Sequence, residues 1–117
     1  MLRHCLLSAG VSAGVIFGAS TLPAAADEQP FEVRITIRDH RFEPAEVEVP
    51  AGRPIRLIVT NADSTPEEFE SVGLKLERVI PPGATAEFRV RPLLKNRNYG
   101  FFGEFNPKTA QGRLVPK

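Results

Sequence analysis

The sequence predicts an all-β sandwich of about seven short strands. Three observations carry that expectation. Apolar and polar residues alternate in one run after another, the period of a strand with one buried face. Gly, Pro and Asn clusters separate those runs, as turns do in antiparallel folds. No segment sustains the 3.6-residue period of an amphipathic helix.

The first element is not part of the sandwich. Arg3 and His4 precede an uncharged run from Cys5 to Leu22, followed by Pro23-Ala24-Ala25-Ala26 and then Asp27-Glu28. A basic start, an apolar stretch and a small-residue site predict a secretory signal peptide over residues 1–26, cleaved after Ala26. Gly10, Gly14 and Gly18 have the spacing of a membrane helix-dimer face. Three Gly and three Ser nevertheless dilute the run, so cleavage is the expectation. Cys5 follows His4 rather than a small residue and does not resemble a lipoprotein acceptor.

The predicted domain is residues 27–117. It holds no Cys, no Met and one His, His40, with fourteen basic against fourteen acidic residues. This composition excludes a disulfide framework and a Cys-based zinc cluster. Zero net charge argues against a nucleic-acid footprint. A domain of this size must bury its core economically, and two facing sheets do so.

Within it, Phe31, Val33, Ile35 and Ile37 alternate with Glu32, Arg34, Thr36 and Arg38 and predict the first strand. Phe42 and Pro44 interrupt the pattern. Val47 and Val49 give a short second strand, ended by the turn Pro50-Ala51-Gly52. Ile55, Leu57 and Val59 predict a third, and residues 61–66 a loop. Glu67 to Ser71 fits either one helical turn, since Pro66 followed by acids suits a helix start, or an extended segment. Leu74, Leu76 and Val79 continue as strand up to the turn Pro81-Pro82-Gly83. Ala84, Ala86, Phe88 and Val90 predict another strand. Residues 95–98 form a turn, and strands follow from Tyr99 to Phe102 and at Arg113-Leu114-Val115.

Several of these segments resemble a known family. Phe42-x-Pro44 with Val49-Pro50-Ala51-Gly52, a strand ending at Asn61, and a Tyr99-x-Phe101 strand leading to Gly112-x-Leu114-Val115 resemble cupredoxins. The stretch from Asn61 through Thr65-Pro66-Glu67-Glu68-Phe69-Glu70-Ser71, with Phe101-Phe102-Gly103-Glu104-Phe105, is similar to EfeO-type cupredoxin-like proteins. These include the small periplasmic cupredoxin of bacterial ferrous-iron uptake systems with an Ftr-type permease. The resemblance spans about residues 31–116. It implies a cupredoxin-like Greek-key β-sandwich with a metal site at one end, where the loops after the Asn61 and Tyr99 strands meet. It also implies a periplasmic location, a periplasmic iron-binding protein and an inner-membrane iron permease as partners, and an accessory part in Fe(II) oxidation.

Blue-copper members of the family use two His, one Cys and one Met. By the resemblance, the first His position falls near Glu67, the Cys-containing loop reads Gly103-Glu104-Phe105-Asn106-Pro107, and the Met position falls near Ala110 or Gln111. By the same resemblance, close relatives often carry His at the position of Asn106. No blue-copper ligand remains. Oxygen donors and at most one imidazole suit iron, manganese or a tetragonal Cu(II) rather than a blue-copper centre.

The candidate metal ligands are therefore Glu67, Glu68, Glu104 and His40, for a copper or iron ion. Three close carboxylates, Glu67, Glu68 and Glu70, repel one another, and a cation relieves that repulsion. Glu104 lies among Phe101, Phe102 and Phe105, an apolar setting in which a carboxylate must be paired, with Arg41 or Arg113, protonated or metal-bound. His40 is the one imidazole of the domain, while Asn106 and Gln111 offer weak amide oxygens. Each feature also has a plainer reading: a solvated acidic turn, an ion pair, an exposed histidine. No nucleophile elbow, His-based triad or phosphate-binding glycine loop is present, so catalysis by the chain alone is not expected. The competing expectation is a metal-free sandwich that docks on a periplasmic or membrane partner.

Overall fold

In the computed structural model, which describes residues 10–16, 18 and 29–117, nine strands form two facing sheets. They are β1 (Phe31–Arg38), β2 (Arg41–Glu43), β3 (Glu46–Val49), β4 (Ile55–Asn61), β5 (Glu67–Ser71), β6 (Leu76–Ile80), β7 (Thr85–Val90), β8 (Tyr99–Gly103) and β9 (Gln111–Pro116). The sheet orders are β2-β1-β4-β7 and β3-β9-β8-β5-β6. β1 pairs parallel with β4, and β3 with β9; the other pairings are antiparallel. No helix among the described residues is long and apolar enough to cross a membrane. The signal peptide expected over residues 1–26 lies largely outside the described residues.

The all-β expectation holds, with nine strands where about seven were predicted. The segment 67–71 is a strand, not a helical turn, because Phe69 must face the core and period 2 then sets its neighbours. β2 is only three residues long. It exists because Asp39 and His40 both adopt positive φ, 53° and 57°, the conformation of a tight two-residue hairpin turn. The Asp63 carboxylate accepts hydrogen bonds from the backbone N–H of both, at 2.7 and 3.0 Å, and so holds the turn closed.

The core sits between the sheets. Val33, Ile35 and Ile37 of β1, Leu57 and Val59 of β4 and Phe88 of β7 face Phe69, Phe101 and Leu114 of the second sheet. Phe42 packs edge-on to both Phe69 and Phe101, with ring centroids 5.7 and 5.1 Å apart. Arg78 on the edge strand β6 lies 4.7 Å above the Phe88 ring, and its stem covers the open side of the core.

The registers sort the turns onto two poles. Ile37 opposite Asn61 brings β1 and β4 to the same end. Asn61 ties the rest to it. Its Nδ2 donates to the carbonyls of Thr65 and Ile80, and its Oδ1 accepts from Asp63 N–H. Phe69 opposite Gly103 ends β8 at this pole as well. Connections 39–40, 62–66, 81–84 and 104–110 thus share one pole. Connections 50–54, 72–75 and 91–98 lie at the other.

Candidate metal pole and carboxylate patch

Alternation along β5 decides where its three acids go. Glu67, Phe69 and Ser71 are buried, and Glu68 and Glu70 face outward. Glu67 therefore enters the interior at the pole, where it is 1% exposed. Its Oε1 accepts hydrogen bonds from the backbone N–H of Glu68 at 3.0 Å and of Phe105 at 2.9 Å. Its Oε2 accepts from Asn106 Nδ2 at 2.7 Å. Three donors from two elements satisfy a carboxylate that would otherwise be too costly to bury.

The β8–β9 loop is folded around that carboxylate. Gly103 N–H donates to Ala110 O at 2.9 Å, and Ala110 N–H to Asn106 O at 2.9 Å. Gly103 admits no side chain: a Cβ there would lie 2.5 Å from Glu67 Cδ and 2.7 Å from Ala110 Cβ. Glu67, Gly103, Asn106 and Ala110 thus converge at one point, the place where the resemblance located a metal site. What occupies it is a carboxylate locked to a carboxamide.

This donor set does not fit a blue-copper ion. It offers no thiolate and no imidazole, its one carboxylate is already fully engaged by N–H donors, and Gly103 has no room for a sulfur.

A second group of acids forms on the outer face. Ligand-capable oxygens of Glu68, Glu70 and Glu77 lie within 4.8 Å of one another. Glu77 comes from β6, directly opposite Glu70 in the β5–β6 register. Glu104 joins them from the loop, its N–H donating to Glu68 O at 2.9 Å. Among the described residues none of these four is in an ion pair, whereas Glu32, Glu43, Glu46, Glu48 and Glu87 each face an Arg or Lys. A side-chain hydrogen bond with Glu77, lost solvation and the charges of Glu77, Glu70 and Glu104 hold the Glu68 carboxyl above its usual 4.5. Lost solvation first, then a side-chain hydrogen bond with Glu104 and the charges of Glu104 and Glu77, raises Glu70 in the same way.

The four predicted ligands are therefore divided. Glu68 and Glu104 come together on the outer face. Glu67 is on the inner side of the same strand and does not join them. His40 is at the same pole but is engaged with the loop after β4, its Nδ1 lying 3.7 Å from Asp63 Oδ2. Glu104 is exposed and flanked by carboxylates, not sunk among phenylalanines as expected, because Phe105 points outward at 49% exposure. Neither expected arginine reaches Glu104: Arg113 pairs with Glu46 at 2.8 Å. Glu77 was missed because it belongs to no motif. Only the register of a neighbouring strand reveals it.

Comparison with known proteins agrees with this architecture. The chain is 44% identical over 93 residues to the uncharacterized protein RP394 of Rickettsia prowazekii (strain Madrid E), covering 80% of this chain and 74% of that one. Its fold matches auracyanin A, a blue copper protein of Chloroflexus aurantiacus (TM-score 0.64, 15% identity, 75% of this chain and 99% of that one). It also matches the metal-binding domain of the Cu(I)-exporting P-type ATPase CopA of Streptococcus pneumoniae D39 (TM-score 0.64, 16% identity, 74% and 84%). At such identities the likeness concerns fold alone. Residues 10–115 match the family described as the cupredoxin-like domain, and the chain belongs to that family.

Proposed function

We propose that this protein is a periplasmic, cupredoxin-fold cation carrier whose working site is the outer carboxylate patch, not the copper pole of the fold. The site comprises Glu68, Glu70 and Glu77, with Glu104 beside them. The single observation that carries the reading is that Glu68, Glu70, Glu77 and Glu104, none of them in an ion pair among the described residues, gather in one place, whereas Glu32, Glu43, Glu46, Glu48 and Glu87 each face an Arg or Lys. A divalent ion would offset the mutual repulsion that adds to the hydrogen bond with Glu77 and the lost solvation in raising Glu68, and to the lost solvation and the hydrogen bond with Glu104 in raising Glu70. Carboxylate-only donors favour hard or borderline ions, so iron is the proposed cargo, with manganese and tetragonal Cu(II) as competitors. The resemblance of the acidic strand and the Phe-Phe-Gly-Glu-Phe segment to ferrous-iron uptake cupredoxins supports iron import. There the protein would work with a periplasmic iron-binding protein and an inner-membrane permease.

Anaerobic calorimetric titration with Fe(II), Mn(II) and Cu(II) tests the reading. Saturable binding tighter than about millimolar is expected, weakened severalfold or more by Glu70→Gln or Glu77→Gln. No saturable binding, or affinities unchanged in both variants, rejects it.

One observation favours a second reading, a metal-free interaction module. The pole is plugged by Glu67 and Asn106, which leaves the fold as a scaffold there. On that reading the titration is flat for every ion, while Phe105 and Val79, each 49% exposed, are the contact residues.

A further inference from the structure

Asn61 and Glu67 are polar side chains buried at the pole where the resemblance located a metal site. Both are turned onto the chain itself. Asn61 holds the carbonyls of Thr65 and Ile80 and the N–H of Asp63. Glu67 accepts from the N–H of Glu68 and of Phe105 and from Asn106 Nδ2. Their neighbours do the same. Asp63 closes the 39–40 turn, and Gln111 Nε2 donates to Pro107 O at 2.8 Å across the mouth of loop 104–110. Among the described residues no buried side-chain nitrogen or oxygen lacks a hydrogen-bond partner.

An ion on Glu67 would need room beside Oε2 and further ligands around it. The backbone of Gly103 fills that room: a Cβ there would lie 2.7 Å from Oε2 itself. Ala110 packs against the same point, fully buried and without a donor side chain. His40 faces Asp63 instead.

The place of Glu67 in the topology gives its carboxylate a second part. β5 pairs with β8 through Phe69–Gly103 and Glu70–Phe102. Past Gly103 the loop leaves the sheet. What then ties it to β5 is the bond from Glu104 N–H to Glu68 O, together with those that Phe105 and Asn106 make to Glu67. One buried centre thus receives donors from its own strand and from the loop, which is the connectivity by which a bound ion ties two segments together.

We propose that the Glu67 carboxylate takes the structural place that an ion has in the copper-bearing proteins of this fold. It is the fixed centre on which the β8–β9 loop is built, and it closes this pole to copper. The inference stands on the disagreement between the fold and the donors present. It does not depend on the cation reading of Glu68, Glu70 and Glu77.

Amide hydrogen exchange of the full chain, stripped of metal with EDTA and read residue by residue by NMR, tests it. Phe105 N–H is expected to exchange about a hundredfold more slowly than in a free peptide. One equivalent of Cu(I), a soft ion with little affinity for carboxylates, should leave that rate unchanged. The readout is the ratio of this rate to that of Gly52 N–H, which bonds Leu93 O at the far pole, so that changes in global stability cancel. Asn106→Ala removes one bond to the centre and should raise the ratio about tenfold, and Glu67→Gln should raise it further. Asn106→Ala keeps the test decisive should Glu67→Gln not fold. A Phe105 amide that exchanges freely in the stripped protein overturns the proposal, and protection restored by Cu(I) would assign the ordering of the loop to an ion. A ratio unmoved by Asn106→Ala overturns it as well, since the carboxylate would then not be the centre.

Discussion

Asn106 Nδ2 donates to Glu67 Oε2 at 2.7 Å, and this one bond closes the pole where the family's metal would sit. It joins a strand of the second sheet to a loop 39 residues later. The carboxylate it engages is buried and has no cationic partner within hydrogen-bond reach, so its stability rests on N–H donors alone.

Glu67→Gln is therefore expected to lower stability by about 2–4 kcal/mol, because the new NH2 faces donors instead of accepting from them. Asn106→Ala, which removes one of the three donors, should cost about 1–2 kcal/mol. Urea denaturation midpoints check both. Equal stabilities in all three proteins would show that the pole is loosely packed.

Gly103→Ala tests the space itself. A methyl there meets the Glu67 carboxyl and Ala110 Cβ at distances no real packing allows. The expected cost is roughly 1–3 kcal/mol of overpacking strain. The double variant with Glu67→Ala should show a positive coupling, the second change partly relieving the first, measurable by a double-mutant cycle.

Asn61 is fully buried, and its side chain bonds three backbone groups. Asn61→Ala orphans the Asp63 N–H and two carbonyls. A loss of about 2–4 kcal/mol is expected by thermal or denaturant unfolding.

The outer acids predict an inverted pH dependence. The Glu68 and Glu70 carboxyls are raised above 4.5 in the folded chain, so between the unfolded and folded values the native state holds more protons. Their contribution to stability is then fully present below 4.5 and is lost as pH rises through the folded values. Glu70→Gln should flatten that decline and make the protein more stable near neutrality. A wild type whose stability climbs monotonically from acid to neutral pH, unaltered by the variant, would contradict this.

Much of the fold was legible because alternation is a strong signal where one face is buried. β1, β4 and β7 read directly from Phe31–Arg38, Ile55–Thr60 and Ala84–Val90. β5 was ambiguous for a physical reason. It places a carboxylate and a hydroxyl, Glu67 and Ser71, on the core-facing side of Phe69, so hydrophobicity does not mark its inner face. The candidate site was half legible. The acidic strand and Glu104 stood out by composition, but which acid turns inward depends on Phe69 claiming the core. Glu77 depended on a four-residue turn setting the register of β6.

The strand order has a consequence for how the domain is made. β9, the ninth strand in sequence, is not an edge: it lies between β3 and β8 and bonds both, in parallel on one side and antiparallel on the other. Until it emerges, β3 has no neighbour in its sheet and Phe101 lacks the backbone of Gly112 that packs on its ring. The ribbon β8-β5-β6 can pair without it, but an incomplete nascent chain cannot complete the second sheet. Closure of this sheet therefore waits for the last strand of the sandwich.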